Sequence, residues 1–244
     1  MVPMPLFLYG DIMYKRIILP SLVAVYLLVE AVLGYLMHTT AHFSLFAYSS
    51  VVLAFLMNLL FFRMEKRNIL TVLALAFTLG ADFFLVILNE NYTLAMVIFS
   101  MAQLSYAARI YFESGDTLRK ATLFVRGGVA LLSILLPLIV LGDGADPLAV
   151  ISVFYFGQLI LNCTFAFINS RRGGLILPIG LVLFLACDIF VGFGNLGGYL
   201  PIEPGTLAWW LAHPPINMAW VFYLPSQALL GISCARATQS TDKS

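Results

Sequence analysis

Three carboxyls stand inside runs that are otherwise apolar: Glu30 in LLVEAVL, Asp82 in LGADFFL and Asp188 in LACDIFV. An ionised carboxyl at a bilayer centre costs at least about 2.5–3.5 kcal/mol, so such residues face a bundle interior or a wet cavity and are functional-site candidates by default. Each acid lies 13 residues beyond the expected start of its span. At 1.5 Å per residue that is about 20 Å, so all three are expected at one level, slightly beyond the midplane. Two carboxyls close together in a water-poor cavity divide the work of acid and base. One holds a proton and the other is ionised. Asp82 and Asp188 are the candidate pair. Glu30 is read either as a third member of the site or as a partner that holds a proton. Gln103, Tyr106, Gln158, Asn162, Tyr223 and Gln227 also fall in apolar spans. Gln103 and Tyr106 are three residues apart, Tyr223 and Gln227 four apart, so each pair shares a helical face. The blander reading of any one of them is interhelical glue, worth about 0.6 kcal/mol.

Residues of this kind need long apolar helices to position them. Of 244 residues, 61% are apolar and 10% charged, against ~45–50% and ~25% in soluble domains. A water-soluble globule is excluded. Eight apolar segments are read as spans: 17–37, 45–62, 69–88, 93–112, 121–141, 148–168, 175–195 and roughly 216–235. One all-α polytopic membrane domain, 1–244, accounts for the chain. The longest break, Leu196–Pro215, carries four prolines with Trp209, Trp210 and His213, and reads as an interfacial loop or short lying helix. The first span is expected to direct insertion, since residues 1–16 do not make a convincing signal peptide.

Charge sets the orientation. Lys15 and Arg16 precede span one; Arg63, Lys66 and Arg67 follow span two; Arg119 and Lys120 follow span four, with Arg109 and Arg126 at the flanking ends; Arg171 and Arg172 follow span six; Arg236 and Lys243 follow span eight. All 13 basic residues then fall on one side, which makes both termini cytoplasmic. The halves echo each other weakly: NLLFF beside NCTFAF, LGADFFLVI beside LACDIFVGF, and Gln103 beside Gln227. Four spans per half is the pattern of a parallel repeat.

The three cysteines, Cys163, Cys187 and Cys234, lie in apolar stretches without CxxC spacing and read as small buried residues. His38, His42 and His213 fall at the outer edge without ligand spacing on one helix, so no metal site is expected. A net charge of +1 and the lack of a long basic run leave nucleic-acid binding without support.

Four stretches together resemble the YhhN family of lysoplasmalogenase-like membrane proteins. They are Thr78-Leu79-Gly80-Ala81-Asp82-Phe83-Phe84-Leu85, Phe99-Ser100-Met101-Ala102-Gln103-Leu104-Ser105-Tyr106, Leu183-Phe184-Leu185-Ala186-Cys187-Asp188 and Tyr223-Leu224-Pro225-Ser226-Gln227-Ala228-Leu229-Leu230. Two positions depart from the family's habit. Ala81 stands between Gly80 and Asp82, and Gln103 stands where the family often has a histidine three residues before the tyrosine kept here as Tyr106. The resemblance implies hydrolysis of the vinyl ether of a lysoplasmalogen to a fatty aldehyde and a glycerophospho-ethanolamine or -choline, without a cofactor. Asp82 and Asp188 are then the catalytic pair, with Asp82 the favoured acid. Gln103, Tyr106, Tyr223, Gln227, Asn162 and Glu30 would orient substrate or water. The implied partner is a membrane lysophospholipid, and short loops favour a bacterial cytoplasmic membrane. A proton-coupled carrier using the same acids, and a lipid-binding scaffold, are the competing readings.

Overall fold

A computed structural model describes residues 18–61, 65–170 and 174–234. Its helices are α1 (Leu19–Thr39), α2 (Phe43–Leu60), α3 (Lys66–Asp82), α4 (Tyr92–Glu113), α5 (Asp116–Leu141), α6 (Pro147–Ile168), α7 (Ile176–Leu196), the short α8 (Leu207–Ala212) and α9 (Met218–Ile232). Lys15, Arg16, Arg63, Arg171, Arg172, Arg236 and Lys243 of the charge argument lie outside the described residues. Seven of the helices are long and apolar enough to cross a membrane, which makes this an integral, multi-pass membrane protein. Their outward faces are greasy: Phe124 is 85% and Ile139 78% exposed.

The expected eighth span is shorter than read. α9 has 15 residues, about 22 Å of helix against a hydrocarbon core of ~30 Å. Pro214 and Pro215 precede it, and the chain is not helical again until Met218. Eight full crossings, the side on which the termini lie and the duplication of the halves are therefore proposals. α9 is nonetheless central, because it packs against α7 as tightly as α3 does against α4.

Six helices close a ring in the order α2, α3, α4, α6, α7, α9, with α9 returning to α2. α1 leans on α2 and α9, and α5 leans on α6. The most apolar window of α4 is 56% buried, against 11% for α1 and α5, so α4 is a ring member and the other two are lipid-facing flanks.

Local chemistry explains the element ends. Asp146 caps α6, accepting from the Ala149 N–H at 2.7 Å, with Pro147 at the first helical position. The Tyr199 hydroxyl donates to the same carboxylate at 3.1 Å, which ties the loop after α7 to the start of α6. Burial, then the neighbouring Asp146, pushes the Tyr199 phenol above its ordinary value. Asn89 and Asn91 carry the positive φ values, 53° and 55°, of the turn between α3 and α4.

Small residues set the ring's closure. A Cβ on Gly231 of α9 would stand 2.8 Å from the Ala54 carbonyl oxygen of α2. The same contact is clasped by Asn58, whose Nδ2 donates to the Gly231 carbonyl at 3.0 Å. Gly231→Ala must push α2 and α9 apart, and overpacking of this kind costs about 1–3 kcal/mol. A lower thermal midpoint in detergent is the expected result, with Gly194→Ala, which meets nothing within 4 Å, as the neutral comparison.

Candidate active site

Asp82 ends α3, and the chain winds on from it as a wider π-helical turn, Phe83–Leu88. Such turns often occur at functional positions, because they re-aim a side chain within a continuous helix. Asp82 is 3% exposed and accepts a hydrogen bond from the Tyr223 hydroxyl of α9. Asp188, midway along α7 and half-buried, accepts one from the Tyr155 hydroxyl of α6. Each carboxyl is thus held by a phenol from a neighbouring helix.

The two pairs form one cluster. Asp188 is within electrostatic reach of Asp82, Asp82 of Tyr155, and Tyr155 of Tyr223. The Cys187 thiol lies close to both carboxyls. An aromatic wall fixes the phenols: Tyr155 packs on Phe99 at 5.7 Å, Phe99 on Phe184 at 6.0 Å, and Phe184 on Tyr223 at 5.3 Å between ring centroids.

A second polar layer lies one turn toward the α3 N-terminus. Thr78 precedes Asp82 by four residues, Gln103 follows Phe99 by four, and Gln227 follows Tyr223 by four. All three are fully buried. The Thr78 hydroxyl, the Gln103 Nε2 and both amide atoms of Gln227 have no hydrogen-bond partner among the described residues. The Gln103 Oε1 accepts from the Asn162 Nδ2 at 2.9 Å, and its backbone carbonyl accepts from the same group at 2.8 Å. On the other side, a cleft of about 540 Å³ opens between Phe190, Val191 and Asn195 of α7 and Pro215, Met218 and Trp220 at the start of α9. Trp220 packs edge-on against Tyr223 at 5.1 Å, so the cleft floor borders the acid cluster.

Two residues from the sequence reading sit elsewhere. Glu30 is buried between α1 and α2, accepts from the Ser50 hydroxyl at 2.5 Å and lies beside Tyr26. The Tyr106 hydroxyl is buried near Arg109 and Cys234 and has no hydrogen-bond partner among the described residues. Glu30, Asp82 and Asp188 follow their helix starts at Leu19, Lys66 and Ile176 by 11, 16 and 12 residues. The larger count for Asp82 reflects the polar turn Lys66-Arg67-Asn68 at the start of α3; from Ile69, where the apolar run begins, Asp82 stands 13 residues on.

Two residues were missed or misplaced. Tyr155 was not singled out, although it shares a face with Gln158 and Asn162 at spacings of three and seven. Arg126, read as a loop-flanking cation, lies inside α5. It donates to Gln158 Oε1 and Asn162 Oδ1, each at 2.7 Å.

No curated protein and no solved structure matches the chain. The family model of YhhN matches residues 42–233, a stretch that contains both aspartates, both phenols and the polar layer. The chain belongs to the YhhN family.

Proposed function

We propose that this protein hydrolyses the vinyl ether of lysoplasmalogens, with Asp82 and Asp188 as the catalytic pair. The observation that carries the reading is the pair of phenol-bound carboxyls, Tyr223–Asp82 and Tyr155–Asp188, gathered in one cluster inside the bundle. Asp82, the more deeply buried, is assigned the proton. It protonates the β-carbon of the enol ether, and the positive charge appears on the carbon that bears oxygen. Asp188, ionised beside the cleft, stabilises that oxocarbenium ion and takes a proton from the attacking water. The hemiacetal then collapses to aldehyde and alcohol, as in the division of labour of glycosidases. Thr78, Gln103 and Gln227 supply donors and acceptors for the water, and the cleft receives the alkenyl chain. Asn162 orients Gln103. Tyr106 and Glu30 belong to the packing of the bundle rather than to the reaction.

Purified protein given a lysoplasmalogen should release fatty aldehyde. In D₂O the aldehyde should gain one deuterium on the carbon next to its carbonyl, and in H₂¹⁸O its oxygen should carry the label. Both labels follow from protonation at carbon and addition of water at the oxygen-bearing carbon. Substrate-dependent proton uptake into liposomes without aldehyde would instead assign a carrier.

The phenols give a graded test. Tyr223→Phe and Tyr155→Phe each remove one hydrogen bond to a charged or proton-sharing carboxyl, worth about 1.5–3 kcal/mol. Turnover should fall roughly 10- to 100-fold with little change in KM, because the bond positions the acids rather than the lipid. A change confined to KM would contradict that assignment.

A further inference from the structure

The described arginines other than Arg126 each pair with a carboxylate: Arg67 with Glu65, Arg109 with Glu113 and Arg119 with Asp116. Arg126 has no carboxylate partner among the described residues. Its guanidinium is held by two neutral amide oxygens, Gln158 Oε1 and Asn162 Oδ1, and lies 5.8 Å from the Phe165 ring centroid. Its Nε is buried and has no hydrogen-bond partner among the described residues. A cation this deep is costly unless something neutralises it. Arg126 stands seven residues beyond Arg119 on α5, about 10 Å farther into the bundle. Its partners Gln158 and Asn162 stand ten and six residues from the end of α6, about 15 and 9 Å deep.

We propose that Arg126, oriented by Gln158 and Asn162, binds the phosphate diester of the lysolipid headgroup. The idea rests on the enol-ether reading and adds to it the headgroup contact and the leaflet of entry. The spacing agrees. The guanidinium sits at a level between Gln158 and Asn162, about 8 Å along α6 from Tyr155, the phenol that holds Asp188. Six bonds separate phosphorus from the oxygen-bearing vinyl carbon, ~7 Å at about 1.2 Å per bond of extended chain. The Asn162 side chain joins this anion site to Gln103 in the polar layer. α6 and α7 are antiparallel neighbours, so the cleft at Val191 and Asn195 lies on the opposite side of Asp188 from Arg126. A lysolipid entering from the leaflet at the Arg119 and Lys120 end therefore places its phosphate at Arg126, its ether at the acids and its chain in the cleft.

The test is binding of uncleavable ethers to the full-length protein in detergent, for wild type, Arg126→Gln and Arg126→Lys. The probes are a 1-O-alkyl-lysophosphatidylethanolamine and the phosphate-free 1-O-alkylglycerol. Wild type should prefer the phospholipid roughly 10- to 100-fold, the range for a charge-assisted, forked contact. Arg126→Gln should remove that preference and leave the alkylglycerol affinity unchanged, while Arg126→Lys keeps part of it. Equal weakening of both probes by Arg126→Gln would mean a structural role and overturn the proposal, as would no weakening of either. If Arg126→Gln fails to fold, the ratio of the two affinities in Arg126→Lys decides by the same criterion. Chain-free glycerophosphoethanolamine competing as well as the lysolipid would assign a soluble phosphate ligand and overturn the lipid assignment. These measurements need no catalysis, so an inactive wild type with a phosphate preference would sink the hydrolase reading and not this site.

Discussion

Asp82→Asn and Asp188→Asn should each lower aldehyde release about 10³-fold, within the range that a positioned acid or base contributes, while the bundle stays folded. Asparagine keeps the shape of aspartate and an oxygen that can still accept from Tyr223 or Tyr155, so loss of fold is not the expected route to inactivity. It could neither give the proton to carbon nor balance the cation that the proposed reaction requires. The acids act as a unit, so the double variant should be little worse than either single one. Glu30→Gln is the internal comparison. Its carboxyl is bound to Ser50 between α1 and α2, and turnover should fall by less than about tenfold, short of a general acid's contribution. Aldehyde release and thermal midpoint, measured on the same preparations, separate chemistry from folding. Folded variants with wild-type turnover would remove the acid pair from the mechanism.

The helices were legible because lipid is a demanding solvent. Every backbone polar group must be satisfied within the segment, so apolar runs of span length become helices with little freedom over their ends. The reading 148–168 meets Pro147–Ile168, and 93–112 meets Tyr92–Glu113. Turn chemistry helped, with Asp146-Pro147 at the start of α6 and the two asparagines after α3. The exception was α9, where the reading 216–235 meets Met218–Ile232: Ile216 and Asn217 after the Pro214-Pro215 pair are not helical, and Ser233 and Cys234 form a turn.

The site was legible only in part, for a different reason. A carboxyl in an apolar run announces itself through its desolvation cost, and Asp82 and Asp188 were found that way. A tyrosine in the same run carries no such signal, because its ring is at home among Phe154 and Phe156. The role of Tyr155 appears only when α6 meets α7, 33 residues away in sequence. Tyr106 shows the converse error. Three-residue spacing from Gln103 puts it on the same helical face, but one turn of α4 is enough to move its hydroxyl from the acid cluster to the neighbourhood of Arg109. Arg126 was misread because the positive-inside rule counts a cation near a span end without asking which way its side chain reaches.

Arg109→Met is expected to destabilise the bundle by about 3 kcal/mol, the lower end of the cost of breaking a buried ion pair. Arg109 is 2% exposed and joins three segments at one end of the ring. Its Nε donates to Glu113 Oε1 at 3.1 Å on α4, and its Nη1 donates to the Thr71 hydroxyl of α3 at 2.6 Å and to the Ser233 hydroxyl after α9 at 2.9 Å. Methionine replaces the volume of the stem but strands the Glu113 carboxylate, whose side chain is 16% exposed. Most of the loss should come from that stranded charge and not from the two hydroxyls, which have backbone carbonyls or solvent near the helix ends to turn to. The double variant Arg109→Met with Glu113→Gln therefore should recover about half of the stability, a coupling that a double-mutant cycle reads directly. Arg109→Lys should fall between, since an ammonium keeps the charge but cannot fork to three acceptors. Arg109 follows Phe99 by ten residues on α4, about 15 Å from the aromatic wall, so turnover per folded molecule should hold while the unfolding midpoint drops. Full stability in the single variant would show that the three segments are held by packing alone. No recovery in the double would place the cost in the lost hydroxyl contacts.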